Sequence, residues 1–410
     1  MSLLRPRTAV AVFLAFAFAY FFAALLRAIT ATLSPVLTQE FALHSRDLGL
    51  LAGGYFLGFA AIQLPLGAWL DRHGPKRMIL AFLGIAVAAC IAFSLARTFS
   101  TLLAARILCG VGLGACLMAP LTGFRRWLEP AAQLRANSWM LMTGSFGMMA
   151  STLPVQWLVP VFGWRPLFLV LAAAIALSML VIALAVPAWQ RPSAPAGERP
   201  GSYAQVWRDP YFRRLAPLGF FSYGGMIAIQ TLWAGPWLVR VAADPPLQAA
   251  AGLFTINICM LGAFLSWGAL NPQLARRGIT TDRLIAAGLP LSLAVLAAIV
   301  LAGPAAGAWA WAAFCVCSTF VSLAQPAVGM AFAPALAGRA LSAFNLVIFS
   351  GVFVVQWGIG LLVDGFGAAG LGTVDAFRAA MAVFLACSAG SYGYFMLANR
   401  DNDRTVTVHP

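Results

Sequence analysis

Charge is scarce along this chain. Of its 410 residues only 9% are charged and 62% are hydrophobic, and the mean hydropathy is +0.88. A water-soluble protein of this size could not hide so many apolar side chains. The shortage of charge therefore excludes a soluble globular protein and indicates a protein that spans a membrane.

The interiors of the long hydrophobic runs contain no Asp, Glu, Lys or His. The three histidines, His44, His73 and His409, all lie outside these runs. Catalytic and metal sites are built from such groups, so we expect no enzyme activity, no metal and no cofactor. The missing acids also exclude a proton relay through carboxylates inside the membrane.

Cysteine is missing from every predicted loop. All seven cysteines lie within hydrophobic runs, whereas a disulfide framework would place them outside the membrane. We therefore expect them to serve as small packing residues.

Twelve hydrophobic runs are long enough to cross a bilayer as helices, which takes about 20 apolar residues. Barrel strands are shorter and alternate, so the runs predict an all-α polytopic membrane protein. The first run exceeds the roughly 7–15 residues of a signal-peptide core and is predicted to be a membrane span. The predicted spans are 9–33, 48–70, 78–97, 101–124, 136–160, 166–187, 214–237, 248–271, 283–302, 306–333, 340–363 and 378–397.

Basic residues are distributed unevenly between the predicted loops. With the N-terminus in the cytoplasm, 19 of the 26 lysines and arginines fall on the cytoplasmic side, five on the far side and two inside spans. This bias follows the positive-inside rule and predicts a multi-pass protein of the bacterial inner membrane with both termini in the cytoplasm. It accounts for the net charge of +14 without a nucleic-acid partner. The expected partners are the lipid bilayer and a small-molecule substrate, and we expect a monomer.

The chain divides into two similar halves. Tyr20 and Arg27 in the first span are echoed by Tyr223 and Gln230 in the seventh, at an offset of about two hundred residues that recurs in other motifs. Such a pattern favours a parallel repeat. The predicted segments are a six-helix bundle at 1–187, a cytoplasmic linker at 188–213, a second six-helix bundle at 214–400 and a cytoplasmic tail at 401–410.

The end of the linker mixes apolar and basic side chains over residues 203–215. This mixture predicts a short helix that lies on the inner membrane face. A disordered linker is the alternative.

Three motifs carry a family resemblance. Residues 67–77, GAWLDRHGPKR, close the second span and enter the next loop. Residues 106–114, RILCGVGLG, place an arginine ahead of spaced glycines, and residues 163–165, GWR, precede the sixth span. These motifs resemble signatures of the major facilitator superfamily of membrane transporters. The resemblance implies twelve helices in two six-helix bundles related by a pseudo-two-fold axis, which carry a solute by alternating access.

The resemblance also implies a gate in the first loop motif. Gly74 would form the turn, because glycine tolerates dihedrals that other residues avoid. Asp71 would latch the cytoplasmic gate by accepting hydrogen bonds from arginines or from a helix N-terminus. The second half has Ala275 in the matching place, so any latch there is weaker or built differently. The implied gating residues are Gly67, Asp71, Arg72, Gly74 and Arg77.

Arg27 and Arg106 are costly inside spans, since a cation in the bilayer costs about 2.5–3.5 kcal/mol on insertion scales. The first span runs outward and the fourth inward, which places both arginines roughly 8–9 Å below the outer boundary. Two cations at one level without a fixed counter-ion predict an anionic substrate, because guanidinium binds carboxylates in a bidentate manner. Alternatively, Arg27 snorkels to the headgroups, and Arg106 shapes the local structure or mediates proton movement. Hydrogen bonds to backbone carbonyls are a further alternative for either arginine.

The first span carries a polar stripe, since Tyr20, Arg27 and Thr30 share one helix face. Such a stripe predicts a wet cavity. For the remaining polar and aromatic candidates, helix–helix hydrogen bonding and packing are the alternatives. These further candidates for substrate binding are Tyr55, Gln63, Trp139, Tyr223, Gln230, Trp233, Asn257, Gln325 and Asn345.

The predicted function is a secondary transporter of a small organic or inorganic anion, with a co-transported or exchanged ion as an open further partner. The alternative is an efflux pump for neutral or cationic drugs or metabolites. The fifth span has Gly144 and Gly147 but no Gly-Pro step of the family's drug exporters. Acids are also missing from the first and fourth spans, which weighs against that alternative. A non-transporting sensor is not excluded by the sequence.

Overall fold

The computed structural model describes residues 4–188 and 202–406. Over these residues the chain forms helices joined by short connections, with no β-strand. The predicted all-α polytopic architecture is confirmed. In the first part of the chain the helices are α1 Pro6–Phe41, α2 Ser45–Ala61, α3 Gln63–His73, α4 Pro75–Leu95, α5 Phe99–Leu113, α6 Ala115–Trp127, α7 Pro130–Ala150, α8 Leu153–Phe162 and α9 Trp164–Ala185.

The second part of the chain contains ten α-helices and several tighter or wider turns. Its helices are α10 Tyr203–Arg208, α11 Pro210–Pro217, α12 Gly224–Ala228, α13 Ala234–Arg240, α14 Pro246–Arg276, α15 Thr281–Ala302, α16 Ala308–Ser318, α17 Ala324–Ala331, α18 Pro334–Ala368 and α19 Thr373–Val406. Two π-helical segments, Leu218–Tyr223 and Ile229–Trp233, interrupt the run from α11 to α13.

Membrane spans follow the hydrophobic runs, but their number differs from the prediction. Among the described residues, ten helical segments are long and apolar enough to cross a membrane, and the pair α2 and α3, bent by 42°, forms an eleventh. The predicted fifth span lies over α7 and the short α8, which are separated at Ser151 and Thr152. The count of twelve therefore stays a prediction.

The first helix continues beyond its predicted end at Leu33, so that boundary was wrong. It runs through Pro35 to Phe41 and ends at Ala42, which adopts a left-handed conformation. Glu40 in its last turn accepts a hydrogen bond from Trp164 Nε1 at 2.6 Å and forms an ion pair with Arg165. These contacts hold a polar turn in place where hydrophobicity alone predicts a loop.

The predicted interfacial helix at 203–215 forms in two pieces, α10 and α11. Its apolar side chains Val206, Phe212 and Leu215 are fully buried and pack with Phe344 in the hydrophobic core of this part of the chain. These three side chains therefore face protein. Most of the preceding linker, residues 189–201, lies outside the described residues, as does the end of the predicted tail, 407–410.

The described chain separates into two compact units. The first comprises residues 4–42 and 54–188, and the second comprises 43–53 and 202–406. The boundary inside α2 falls between two adjacent glycines, Gly53 and Gly54. The first turns of α2 therefore pack with the C-terminal residues, and its later turns pack with the N-terminal ones.

In the second unit, an acid near the start of α15 joins two elements. Asp282 accepts hydrogen bonds from Tyr211 Oη at 2.8 Å and from Arg214 Nη1 at 2.7 Å. Arg214 is 4% exposed and also stacks on Phe395 at 4.1 Å. The second half thus carries an acid seven residues after Ala275, and that acid holds α15 to α11.

Glycines allow the helices of the first unit to touch through their backbones. A Cβ on Gly110 of α5 would lie 1.8 Å from the Tyr55 carbonyl oxygen of α2, and one on Gly58 would lie 2.1 Å from the Ile107 carbonyl oxygen. A Cβ on Gly112 would lie 2.4 Å from the Ala86 nitrogen of α4. The spaced glycines after Arg106 therefore give α5 close contact with both α2 and α4.

Replacing Gly110 with Ala should destabilise the first unit, because the added Cβ would overlap the backbone of α2. Overpacking of this kind costs about 1–3 kcal/mol or more. We expect a clear fall in the melting temperature of the detergent-solubilised protein. The matched control is Gly262→Ala in α14, where a Cβ meets nothing within 4 Å. Equal melting temperatures for the two variants would contradict this packing.

Candidate functional site

Arg106 is fully buried and is hydrogen-bonded to the backbone of α1. Its Nη1 donates to the Leu26 carbonyl oxygen at 2.8 Å, and its Nη2 donates to the Arg27 carbonyl oxygen at 3.3 Å. The guanidinium also lies 4.9 Å from the ring centre of Tyr55. These contacts engage two of the three nitrogens of a cation that cannot lose its proton and that has left water, whereas its buried Nε has no hydrogen-bond partner among the described atoms. Arg106 therefore fastens α5 to α1 at Leu26 and at Arg27, the other arginine within a predicted span.

Arg27 has polar and aromatic neighbours but no acidic partner. The hydroxyls of Tyr20 and Tyr55 interact with its guanidinium, which lies 5.9 Å from the ring centre of Phe59. None of the ion pairs among the described residues involves Arg27 or Arg106. The Arg27 side chain is partly exposed, and its buried Nε has no hydrogen-bond partner among the described atoms. Among the described residues, its charge is therefore not paired with a carboxylate.

The structure brings together four of the residues that the sequence proposes. Tyr20, Arg27, Tyr55 and Arg106 form one cluster in the first unit, which we name the arginine–tyrosine cluster. The two arginines lie at the same level, because the Arg106 side chain reaches the Arg27 carbonyl directly. This agrees with the sequence-based expectation, although the predicted end of α1 was wrong.

Two glycines of the fifth hydrophobic run allow α7 to pack closely against α1 beside the cluster. A Cβ on Gly144 would lie 2.7 Å from the Tyr20 ring, and one on Gly147 would lie 2.2 Å from the Phe21 carbonyl oxygen. Gly144 of α7 therefore makes room for the Tyr20 ring, and Gly147 lets α7 approach the backbone of α1. Thr30, one turn beyond Arg27, is buried at 2% exposure.

Two other candidates of the first unit make contacts with residues outside the arginine–tyrosine cluster. Gln63 is buried and donates from Nε2 to the Phe59 carbonyl oxygen at 3.2 Å, across the bend between α2 and α3. Trp139 is 53% exposed and packs edge-on against Phe13 at 5.8 Å. Neither contact gives these residues a direct link to Arg27.

The candidates in the second unit form two amide pairs. Gln230 Nε2 donates to Asn257 Oδ1 at 3.0 Å, and Gln325 Nε2 donates to Asn345 Oδ1 at 2.6 Å. Each pair joins two different helical segments, as expected for polar groups inside a membrane protein. They are neutral, in contrast to the cationic cluster of the first unit.

The remaining candidates, Tyr223 and Trp233, end the two π-helical segments, and Gln230 lies within the second. Trp233 is fully buried, and its Nε1 donates to the Gln356 carbonyl oxygen at 3.0 Å. π-Helical turns are rare and occur frequently at functional sites. No hydrophobic period in the sequence distinguishes them from α-helix.

Sequence reasoning did not select Gln356 as a candidate. It is fully buried in α18, and its Nε2 donates to Thr231 Oγ1 at 2.9 Å. Its Oε1 has no partner among the described atoms. The sequence did contain a signal, because Gln356 is an amide inside the predicted span 340–363. Other amides inside predicted spans were selected as candidates on that ground.

The signature loop is only partly described. Gly74 separates α3 from α4 with φ 81° and ψ 159°, a region that favours glycine, as the sequence predicts for the turn. Arg72 and Arg77 are exposed, and a Cβ on Gly67 would meet nothing within 4 Å. The side chain of Asp71 lies outside the described part, so the latch stays a prediction.

Replacing Arg106 with Gln should destabilise the protein, because two charge-assisted hydrogen bonds to α1 are lost. Hydrogen bonds to charged groups contribute about 1.5–3 kcal/mol each. We expect a lower melting temperature in detergent, with partial recovery in Arg106→Lys. The control Arg97→Gln removes an exposed arginine just before α5 and should change little. A stable Arg106→Gln protein would contradict the fastening role.

Relatives of this chain include several transporters. It is 30% identical over 158 residues to a probable sulfoacetate transporter of Cupriavidus necator, covering 38% of this chain and 36% of the relative. It is 27% identical over 294 residues to a 3-(3-hydroxy-phenyl)propionate transporter of Escherichia coli, covering 67% and 69%. It is also 28% identical over 161 residues to the multidrug resistance protein MdtL of E. coli, covering 38% and 40%. The chain thus matches little more than a third of the first of these relatives.

Solved transporter structures have the same fold. A bacterial homologue of the human lysosomal transporter Spinster superposes with a TM-score of 0.79 at 18% identity, covering 97% of this chain and 98% of that one. A D-xylose–proton symporter superposes with a TM-score of 0.76 at 12% identity, covering 94% and 97%.

A family profile connects these likenesses. The profile of the Major Facilitator Superfamily matches residues 16–356, which include the signature loop, the arginine–tyrosine cluster and most of the second unit. The chain therefore belongs to the Major Facilitator Superfamily of transporters.

Proposed function

We propose that this transporter carries a small organic anion by alternating access and that Arg27 binds the anionic group. The observation that carries the proposal is the Arg27 side chain, which is partly exposed and has two tyrosines but no acid beside it. A guanidinium binds carboxylate or sulfonate groups more strongly than neutral ones, since the hydrogen bonds are charge-assisted. The substrate would supply the counter-charge that the chain lacks.

Arg106 has a different role in this proposal from the one the sequence suggests. Its Nη1 and Nη2 are already bound to the Leu26 and Arg27 carbonyl oxygens. It therefore acts as a positioning residue, which orients α1 and so presents Arg27 to the anion. Its own charge adds to the positive potential of the cluster without direct contact.

Two named relatives support an organic acid as substrate. The names of the C. necator and E. coli relatives specify sulfoacetate and 3-(3-hydroxy-phenyl)propionate, which are both carboxylates at neutral pH. Tyr20, Tyr55 and Phe59 place aromatic rings beside Arg27, and such neighbours would suit an apolar or aromatic body attached to the anionic group. We further propose the bacterial inner membrane as the location, with both termini in the cytoplasm, because of the distribution of basic residues.

Replacing Arg27 with Gln should weaken anion transport while the protein still folds, because the charge-assisted contact is lost. We expect the apparent affinity for the anion to fall roughly 10- to 100-fold, with partial activity in Arg27→Lys. The measurement is uptake of labelled sulfoacetate, benzoate and 3-hydroxyphenylpropionate into proteoliposomes, with and without a pH gradient.

The matched control for this experiment is Arg7→Gln, which removes an exposed arginine from the same helix. It should transport like the unmodified protein. If Arg27→Gln transports the anions at the unmodified rate and affinity, the anion site is not at Arg27.

A second candidate function is the export of neutral or cationic compounds. The likeness to MdtL favours it, and so do the hydrogen bonds of Arg106 Nη1 and Nη2 to backbone carbonyls. A susceptibility panel in an efflux-deficient strain separates the two functions. Resistance to several drugs that persists in Arg27→Gln would favour export, and no change in resistance would favour the anion transporter.

A further inference from the structure

Two cysteines of the first unit are neighbours across the contact between α4 and α5. Cys90 and Cys109 are both 0% exposed, and their thiols are hydrogen-bonded to each other. About one helical turn away, a Cβ on Gly112 of α5 would lie 2.4 Å from the Ala86 nitrogen of α4. Because both pairs belong to the same close contact between the two backbones, the packing of α4 on α5 holds the two thiols together.

A buried cation lies beside this thiol pair. Arg106 precedes Cys109 by about one turn of α5 and interacts electrostatically with both thiols. Its Nε has no hydrogen-bond partner among the described atoms, and it belongs to none of the ion pairs between described residues. A neutral thiol gives this guanidinium no counter-charge, whereas a group with one net negative charge would balance it.

Two thiolates suit a soft, monovalent metal ion. Thiolate ligands select Cu(I), and Ag(I) has the same charge and the same preference for sulfur. Structural sites for Zn(II), in contrast, take four ligands. When Cu(I) or Ag(I) replaces the two thiol protons, the product is a metal bis-thiolate with one net negative charge, and two protons are released. Arg106 would balance that charge, so that the metal, its ligands and the guanidinium together would be neutral inside the membrane.

We propose that Cys90 and Cys109 are the two ligands of a site for a monovalent soft metal ion, Cu(I) or Ag(I), with Arg106 as its counter-ion. The bound metal would link α4 to α5, beside the link that Arg106 makes between α5 and α1. The sequence alone predicts packing cysteines and no metal, because it does not show which cysteines are neighbours. The site does not depend on which substrate the transporter carries.

The test is the retention of Ag(I) by the detergent-solubilised full-length protein in the presence of excess glutathione. Glutathione removes Ag(I) from single cysteines, whereas two ligands on one chain hold the ion at a high effective concentration. We expect one Ag(I) per chain, measured as metal content by mass spectrometry after gel filtration. Cys90→Ala and Cys109→Ala should each lower the affinity for Ag(I) at least about 10- to 100-fold. Cu(I), generated with ascorbate, should behave like Ag(I), and Zn(II) should not be retained.

Further variants separate loss of a ligand from loss of packing. Cys90→Ser and Cys109→Ser keep the size of the side chain and should also lose the metal. Arg106→Gln removes the counter-charge and should weaken Ag(I) binding, with recovery in Arg106→Lys. The matched control is Cys116→Ala, which removes another fully buried cysteine of the first unit and should retain one Ag(I) per chain.

Three results would overturn the proposal. The first is that the unmodified protein retains no Ag(I), and the second is that Cys90→Ala or Cys109→Ala retains as much Ag(I) as the unmodified protein. The third is loss of the metal in Cys116→Ala. Equal affinity for Ag(I) in Arg106→Gln and the unmodified protein would contradict the counter-ion role, and retention of Zn(II) would contradict the assignment to a monovalent ion. All of these results leave the anion site at Arg27 untouched.

Discussion

Arg106 is a cation that burial cannot neutralise, so its position in the membrane depends on complete hydrogen bonding. The structure meets most of this requirement with two carbonyl oxygens of α1, those of Leu26 and Arg27. For the side chain to reach them, α5 must lie close to α1 and α2, and Gly110 permits the contact with α2. The arrangement of the arginine–tyrosine cluster follows from satisfying this one guanidinium.

The same arrangement separates the roles of two arginines that look equivalent in the sequence. One is committed to the backbone, and the other stands beside Tyr20 and Tyr55 without an acid. A fixed carboxylate would neutralise Arg27 and remove the reason for an anion to bind. In the proposed function, the substrate anion takes the place of such a carboxylate.

The features that were predictable from the sequence are those set by local composition. Hydrophobic runs locate most spans, and the left-handed turn at Gly74 follows from its place between two helices. The preference of Arg106 for carbonyls depends on distances between helices, so the sequence left it among several alternatives. The last turns of α1 escaped prediction because Trp164 and Arg165, more than one hundred residues away, hold Glu40. The π-helical segments carry no periodic signal.

The central claim is that a substrate anion supplies the counter-charge of Arg27. The most direct test is ligand stabilisation of the purified protein, measured as a shift in melting temperature with matched pairs such as benzoate and benzamide. A ligand that binds the folded state at 100 times its dissociation constant stabilises it by about 2.7 kcal/mol. The account predicts a shift with at least one carboxylate or sulfonate, none with its neutral amide, and no shift for either in Arg27→Gln. Equal stabilisation by acid and amide, or an unchanged shift in Arg27→Gln, would contradict it.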